Sequence, residues 1–297
     1  MSGDIDKAVK ILTEAGIPED DARFDIGVIF SYLGDEADRF DEAVHKRASG
    51  MPVAYVIGQQ AFYTEEYKVT QDVLIPRADT ELLVESALQF LGELKLPIGD
   101  VGLVPMCPLS SSNDDNIGRD PRLLDLCTGT GCVGISIFNH LYMSSRYRFP
   151  EAVLTDVSEK AMEVARLNVG EVSVAPSYLK VMKLDVLTEE LPEDIGVFDV
   201  ITANPPYINS SDMEALDAGV KDFEPELALR GGDDGLIFYP HICNIALRCL
   251  REGGALIVEH GYDQGEQVAQ ILTDKGLCNV KTLKDFGGND RVTFGIR

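Results

Sequence analysis

The tetrapeptide Asn204-Pro205-Pro206-Tyr207 places an amide side chain, two prolines and an aromatic ring side by side. It follows Val197-Phe198-Asp199-Val200-Ile201-Thr202-Ala203, an apolar run that reads as a buried strand. Prolines lack the N–H that a sheet ladder needs and hold φ near one value, so the chain must leave the sheet here in a stiff, extended loop. Such a loop leaves the Pro205 carbonyl unpaired near the Asn204 amide, giving fixed hydrogen-bond acceptors with the Tyr207 ring beside them. A planar group bearing an NH2 can donate to both acceptors while its face packs on the ring. Two adjacent prolines alone would mark only a turn that closes a strand. A nucleotide-type glycine loop in the same chain tips the balance towards a site.

That loop is Thr128-Gly129-Thr130-Gly131, which turns the buried strand Leu123-Leu124-Asp125-Leu126-Cys127 into a helix carrying Val133, Ile135, Ile137 and Phe138. Glycines let the backbone pass close to a ligand, and the helix N-terminus beside them offers unpaired N–H groups. Many strand-to-helix turns use two glycines for steric reasons alone, so the neighbouring strands matter. Ala152-Val153-Leu154-Thr155 ends at Asp156, the place where an acidic side chain accepts from ribose hydroxyls in a dinucleotide-binding fold. The strand near Tyr178 to Leu184 ends at Asp185, placed to accept from an adenine amino group, with Val186 against the ring. Acidic groups for ribose and adenine, with no Walker lysine, indicate a nucleoside ligand rather than a triphosphate.

The elements that must position these residues follow an α/β order. Asp4 is placed to cap a first helix that Gly16 stops, a second helix starts at Pro18 and ends at Gly34, and a third spans Asp38 to Arg47. These make a small helical domain, which a hairpin from Ala61 to Val69, turning at Thr64-Glu65-Glu66, joins to the rest. Val73-Leu74-Ile75 reads as a strand broken at Pro76, and Asp79 or Thr80 opens the next helix; Arg77 alone reads as a surface charge. The Pro-, Ser- and Asn-rich stretch between Leu96 and Pro121 reads as an exposed loop. After the 197–203 strand come a helix from Gly235 to Leu250, a strand 255–259, a helix from Gln264 to Lys275, and strands at 280–283 and 291–296. Ligands in such largely parallel sheets bind at the strands' carboxyl ends, where Asp125, Gly129, Asp156, Asp185 and Asn204 all fall.

Composition narrows the function class. A chain of 297 residues with net charge −24 lacks the basic stripe that nucleic-acid binders use, and a basic protein partner fits it better. No apolar run is long enough to span a bilayer. The cysteines at 107, 127, 132, 243, 249 and 278 have no zinc-ligand spacing, so they read as reduced thiols, and no metal is expected. His45 reads as a surface residue, and His140, His241 and His260 lie outside the motifs and read as structural. Residues 1–10 carry no targeting pattern, which favours a bacterial-type cytoplasmic protein, with a mitochondrial one that has lost its presequence as the alternative.

Taken together, these stretches resemble the HemK/PrmC family of peptide chain release factor N5-glutamine methyltransferases. The resemblance runs from the helical domain through Ile75-Pro76-Arg77-Ala78-Asp79-Thr80-Glu81, Asp125 to Gly131, and Asn204 to Ile208. It continues through Glu224-Pro225-Glu226-Leu227-Ala228-Leu229, Gly231-Gly232 and Asp290-Arg291. Ala78 stands where the family usually has a second proline, and Cys127 where its loop often has a glycine. The resemblance implies a Rossmann-like class I methyltransferase fold with a largely parallel seven-stranded sheet over residues 71–297, and a substrate-docking helical domain with its hairpin over 1–70. It implies S-adenosylmethionine as cofactor, S-adenosylhomocysteine as product, and a release factor as protein substrate of a monomeric enzyme without direct nucleic-acid binding. Asn204, Pro205, Pro206 and Tyr207 would then serve the methyl acceptor, and Asp125, Cys127, Thr128, Gly129, Thr130, Gly131, Asp156, Asp185, Val186 and Asn204 the cofactor. Adenine-N6 methyltransferases of nucleic acid use the same tetrapeptide and are the alternative, against which the acidic balance weighs. A non-catalytic nucleoside-binding or scaffold protein would have no need of the intact acceptor corner.

Overall fold

The computed structural model describes residues 2–34, 36–93, 120–144, 146–192 and 195–297. Helices α1 (Ser2–Glu14), α2 (Glu19–Leu33) and α3 (Ala37–Ala48) bury Leu12, Ala22, Ile26, Ile29 and Val44 in a core of their own. Helix α1 begins at Ser2, which puts Asp4 inside its first turn rather than at the cap. A short helix α4 (Val53–Ile57) follows Pro52, a step that the three-helix reading passes over.

The hairpin consists of β1 (Gln59–Phe62) and β2 (Glu65–Lys68) and turns at Tyr63-Thr64, one step earlier than expected, with Tyr63 at φ 56°. Its fully buried Phe62 and Tyr67 enter the core of the larger unit rather than that of the helices. Residues 73–77 form no strand. Ile75 N–H donates to the Glu224 side chain at 3.3 Å instead of to a ladder, as suits a segment with proline at its centre.

A 3-10 turn at Ala78–Thr80 leads into α5 (Glu81–Phe90). Then β3 (Arg122–Leu126), α6 (Cys132–Met143), β4 (Glu151–Asp156), α7 (Glu159–Val172), β5 (Leu179–Lys183) and β6 (Phe198–Ala203) follow in order. Two short helices, α8 (Asp212–Ala215) and α9 (Ala218–Lys221), precede α10 (Phe238–Cys249), β7 (Leu250–Glu259), α11 (Gly265–Asp274), β8 (Cys278–Lys284) and β9 (Asp290–Ile296). The sheet is seven-stranded in the order β5-β4-β3-β6-β7-β9-β8, with β9 antiparallel to both neighbours and the other pairings parallel. This is the Rossmann-like class I methyltransferase fold.

One apolar layer packs α5 and α6 against the sheet, and a second packs α10 and α11 against the other face. The order reverses between β3 and β6, so the crevice opens at the carboxyl ends of these two strands. The five described cysteines are free thiols; Cys107 and the 97–119 loop lie outside the described residues. No helix among the described residues is long and apolar enough to cross a membrane.

Candidate active site

The glycine loop is set by its backbone. Cys127, Gly129 and Gly131 sit at φ 55°, 55° and 83°, the left-handed region, and Thr128 N–H donates to the Thr155 carbonyl of β4 at 2.9 Å. Cys127 thus holds a conformation that costs a side-chain-bearing residue about 1 kcal/mol and a glycine almost nothing. This is a physical reason for the glycine expected at that place, and the loop tolerates the departure. Asp125 is buried, accepts from the Thr202 hydroxyl at 2.7 Å and from the Thr128 hydroxyl, and is pushed up to about 6 by burial against the pull of these donors. Its oxygens therefore brace the loop as well as facing the cleft.

At the end of β4, Asp156 accepts from Gly129 N–H and from Ser158 N–H, each at 2.9 Å. Burial pushes its carboxyl up, and the same backbone donors oppose that. A carboxylate offers about four lone-pair positions, so two backbone bonds leave acceptor capacity for a diol. Asp185 accepts from Leu187 N–H at 3.0 Å, and Val186 is buried beside it. These residues line a cavity of about 230 Å³ together with Thr128, Gly129 and Thr130; Gly131 caps α6 and does not line it. Apolar walls, backbone N–H groups at a helix start and acidic acceptors at the rim fit a nucleoside-bearing ligand.

The acceptor corner differs from the expected picture. Asn204 and Pro206 line the cavity, whereas Pro205 and Tyr207 do not. The Tyr207 ring turns away into the layer of α10 and α11, where its hydroxyl donates to Glu259 Oε1 at 3.2 Å. Its carbonyl accepts from Gln264 Nε2 at 3.0 Å. The ring thus anchors the loop to the end of β7. Gly231 supports the same loop from outside: its N–H donates to the Ile208 carbonyl at 2.8 Å, and a Cβ there would lie 2.7 Å from Tyr207 Cα. Any other residue would push the loop inward. Asn204 Nδ2 donates to Thr80 Oγ1 at 3.3 Å.

Two stretches without an assigned role meet across the cleft. Glu224, with 1% of its side chain exposed, pairs with Arg77 and accepts from Ile75 N–H. Arg77 is therefore not a plain surface charge: it clamps the 73–80 segment to the 224–228 segment, and both line the cavity. Reading from residue types alone overlooks Thr80, Glu224, Glu259 and Gln264. Glu259 had a signal, because it is a carboxylate that ends an apolar strand at the same carboxyl edge as Asp156. His260 is fully buried between the Gly261 carbonyl and the Thr293 hydroxyl, a structural place.

Residues 111–222 match the model of the methyltransferase small domain family. The chain is 30% identical over 260 residues to the release factor glutamine methyltransferase of Clostridium acetobutylicum, covering 87% of this chain and 80% of that one. It is 33% identical over 258 residues to that of Clostridium botulinum, with 87% and 80% covered. Against that of Haemophilus influenzae the identity is 33% over 253 residues, with 84% and 77% covered. With that identity over most of both chains, this chain belongs to the release factor glutamine methyltransferase family.

Proposed function

We propose that this protein methylates the side-chain amide nitrogen of the glutamine in the Gly-Gly-Gln loop of a peptide chain release factor. The observation that carries the reading is Asn204, which lines the cavity while its NH2 is engaged by Thr80, so that its oxygen is the end left to accept. S-adenosylmethionine, when bound, supplies an electrophilic methyl group and leaves as S-adenosylhomocysteine. Asp156 and Asp185 would hold its ribose and adenine, with the Gly129 loop against the amino-acid part. An amide nitrogen is a poor nucleophile because its lone pair is delocalised into the carbonyl. Asn204 Oδ1, together with the Pro205 carbonyl of the peptide that leads into the cavity-lining Pro206, would accept the two amide hydrogens, add electron density to the nitrogen and aim it at the methyl. As positive charge grows on the nitrogen these acceptors bind it more strongly than they bind the ground state. The surplus proton then passes to water.

A three-residue loop offers little contact area, so a protein substrate needs a second contact. The helical unit is the available surface. Its α2 carries Phe24, 72% exposed, and is the face proposed to dock the release factor. Incubating the protein with labelled S-adenosylmethionine and either a release factor or nucleic acid tests the reading. Label on the release factor glutamine is the expected result; label on nucleic acid, or on neither, overturns it.

A further inference from the structure

β5 is the edge strand of the sheet, and the chain leaves it at Leu184, whose N–H donates to the Asp156 carbonyl at 3.0 Å. Asp185, Val186 and Leu187 then form one wall of the cavity without belonging to a strand or a helix. The near end of this wall is held locally: Asp185 Oδ1 accepts from Leu187 N–H, and the Asp185 carbonyl accepts from the Thr188 hydroxyl, each at 3.0 Å. The far end is held by Glu189, which sits at φ 56°, in the left-handed region that disfavours a residue with a side chain. Three residues of α10 converge on it. Its Oε1 accepts from His241 Nδ1 at 2.8 Å and from Asn244 Nδ2 at 2.7 Å, and its carbonyl accepts from the Arg248 guanidinium at 2.9 Å. We propose that Glu189 is a positioning residue for the cofactor, which fastens the 185–187 wall to α10 at the height where Asp185 meets an adenine amino group. The inference rests on the cofactor reading given above and deepens it by naming what sets the choice of base.

The three donors belong to one stripe of α10, since residues 241, 244 and 248 follow one another by three and four positions. Lys275 Nζ, at the end of α11, donates to Asn244 Oδ1 at 2.8 Å. A lysine only donates, so the Asn244 oxygen must face it, and the amide is left with its NH2 towards Glu189. Hydrogen bonds from Asn244 and then from His241 hold the Glu189 carboxyl below its usual range, against the push of burial, so it stays an acceptor for both. The same helix lends Phe238 to the cavity wall. α10 is thus a common splint for both.

A left-handed turn alone is best served by glycine. Here a side chain occupies it, and its bonds to α10 offset the backbone cost. Backbone in a sparsely populated region persists only where its surroundings over-determine it, and a wall that must meet a planar base at one height is such a place. With Asp185 Oδ1 engaged by Leu187, Oδ2 is the oxygen offered to the base, and its position follows the turn that Glu189 closes. Adenine brings an NH2 to that oxygen. A base with a carbonyl at the same place sets an acceptor against an acceptor, so a displaced wall loses more with adenine than with its 6-oxo counterpart.

The test is calorimetry of the full chain with S-adenosylhomocysteine and with S-inosylhomocysteine, in which an oxygen replaces the adenine amino group. The wild type is expected to favour the adenine compound. Glu189→Ala is expected to raise Kd for S-adenosylhomocysteine about tenfold, the share of one charge-assisted hydrogen bond, and Kd for S-inosylhomocysteine by less than about threefold, so that the preference collapses. Glu189→Gln, which keeps an oxygen for both donors, is expected to retain the preference, and Asn244→Ala to lower it. In methyl transfer to a release factor, Glu189→Ala is expected to raise KM for S-adenosylmethionine and to leave kcat unchanged. An undiminished preference in Glu189→Ala, or equal losses for the two compounds, overturns the inference, as does a Gln variant that behaves like the Ala one. Asn244→Ala decides by the same criteria if the Glu189 variant does not fold. A wild type without preference for the adenine compound refutes the cofactor reading itself, and with it the inference.

Discussion

Asp156, in the half of the cleft proposed to hold the cofactor, is held by backbone N–H groups of residues 129 and 158, at most 27 positions away along the chain. Asn204, in the half proposed to hold the methyl acceptor, is held by a side chain 124 positions away, and Tyr207 by side chains 52 and 57 positions away. One half is built by local turns that a glycine pattern and a strand end specify. The other exists only after distant segments have met. Cofactor binding should accordingly survive damage that abolishes transfer, whereas damage to the local loop should weaken binding.

The sharpest way to separate the halves is Asn204→Ala. Turnover is expected to fall on the order of a hundredfold or more, as for loss of one preorganised polar group, while calorimetry gives nearly unchanged cofactor affinity. Turnover within a fewfold of wild type would remove Asn204 from the acceptor site. Next in size is Arg77→Met, which strands the buried Glu224 carboxylate. With Arg77 partly open to solvent, the loss falls below the range for fully buried pairs, at roughly 2–3 kcal/mol in a denaturant titration. An unchanged midpoint would mean that the two segments hold together without their clamp.

Asp156→Ala probes the local half. Losing charge-assisted bonds to ribose is expected to weaken S-adenosylmethionine binding by about ten- to a hundredfold, and wild-type affinity in a folded variant would end that assignment. The smallest effect is expected far from both halves, at Phe24→Asp. On the docking reading KM for the release factor rises severalfold, and the weak activity on a short Gly-Gly-Gln peptide stays where it was. Equal losses on protein and peptide would show that α2 only stabilises the fold.

The same contrast explains what was legible beforehand. The strands ending at Leu126, Asp156, Lys183 and Ala203 announce themselves as apolar runs of the right length, and so does the alternation with helices. The places of Asp156, Asp185 and Gly129 in the cavity wall follow because they depend on where a strand stops. The direction of the Tyr207 ring is set by Glu259 and by the layer beneath, which no local pattern encodes. Arg77 looked like a surface charge for the same reason, since a salt bridge to residue 224 leaves no trace in either neighbourhood. The 73–76 segment has strand-like composition and still forms none, because its buried N–H found a side-chain acceptor.

Asn168 on α7 gives the hairpin and the glycine loop a common fate. Its Oδ1 accepts from Lys68 N–H at 2.8 Å, and its Nδ2 donates to the carbonyls of Lys68 and Thr130 at 3.0 and 2.9 Å. One fully buried amide thus ties three backbone groups, so β2 cannot peel away without releasing the loop. In native-state hydrogen exchange the amides of β2 and of residues 129–131 should therefore open as one cooperative unit. A ligand that seats against Gly129 should slow exchange in the hairpin as well, although it touches no residue there.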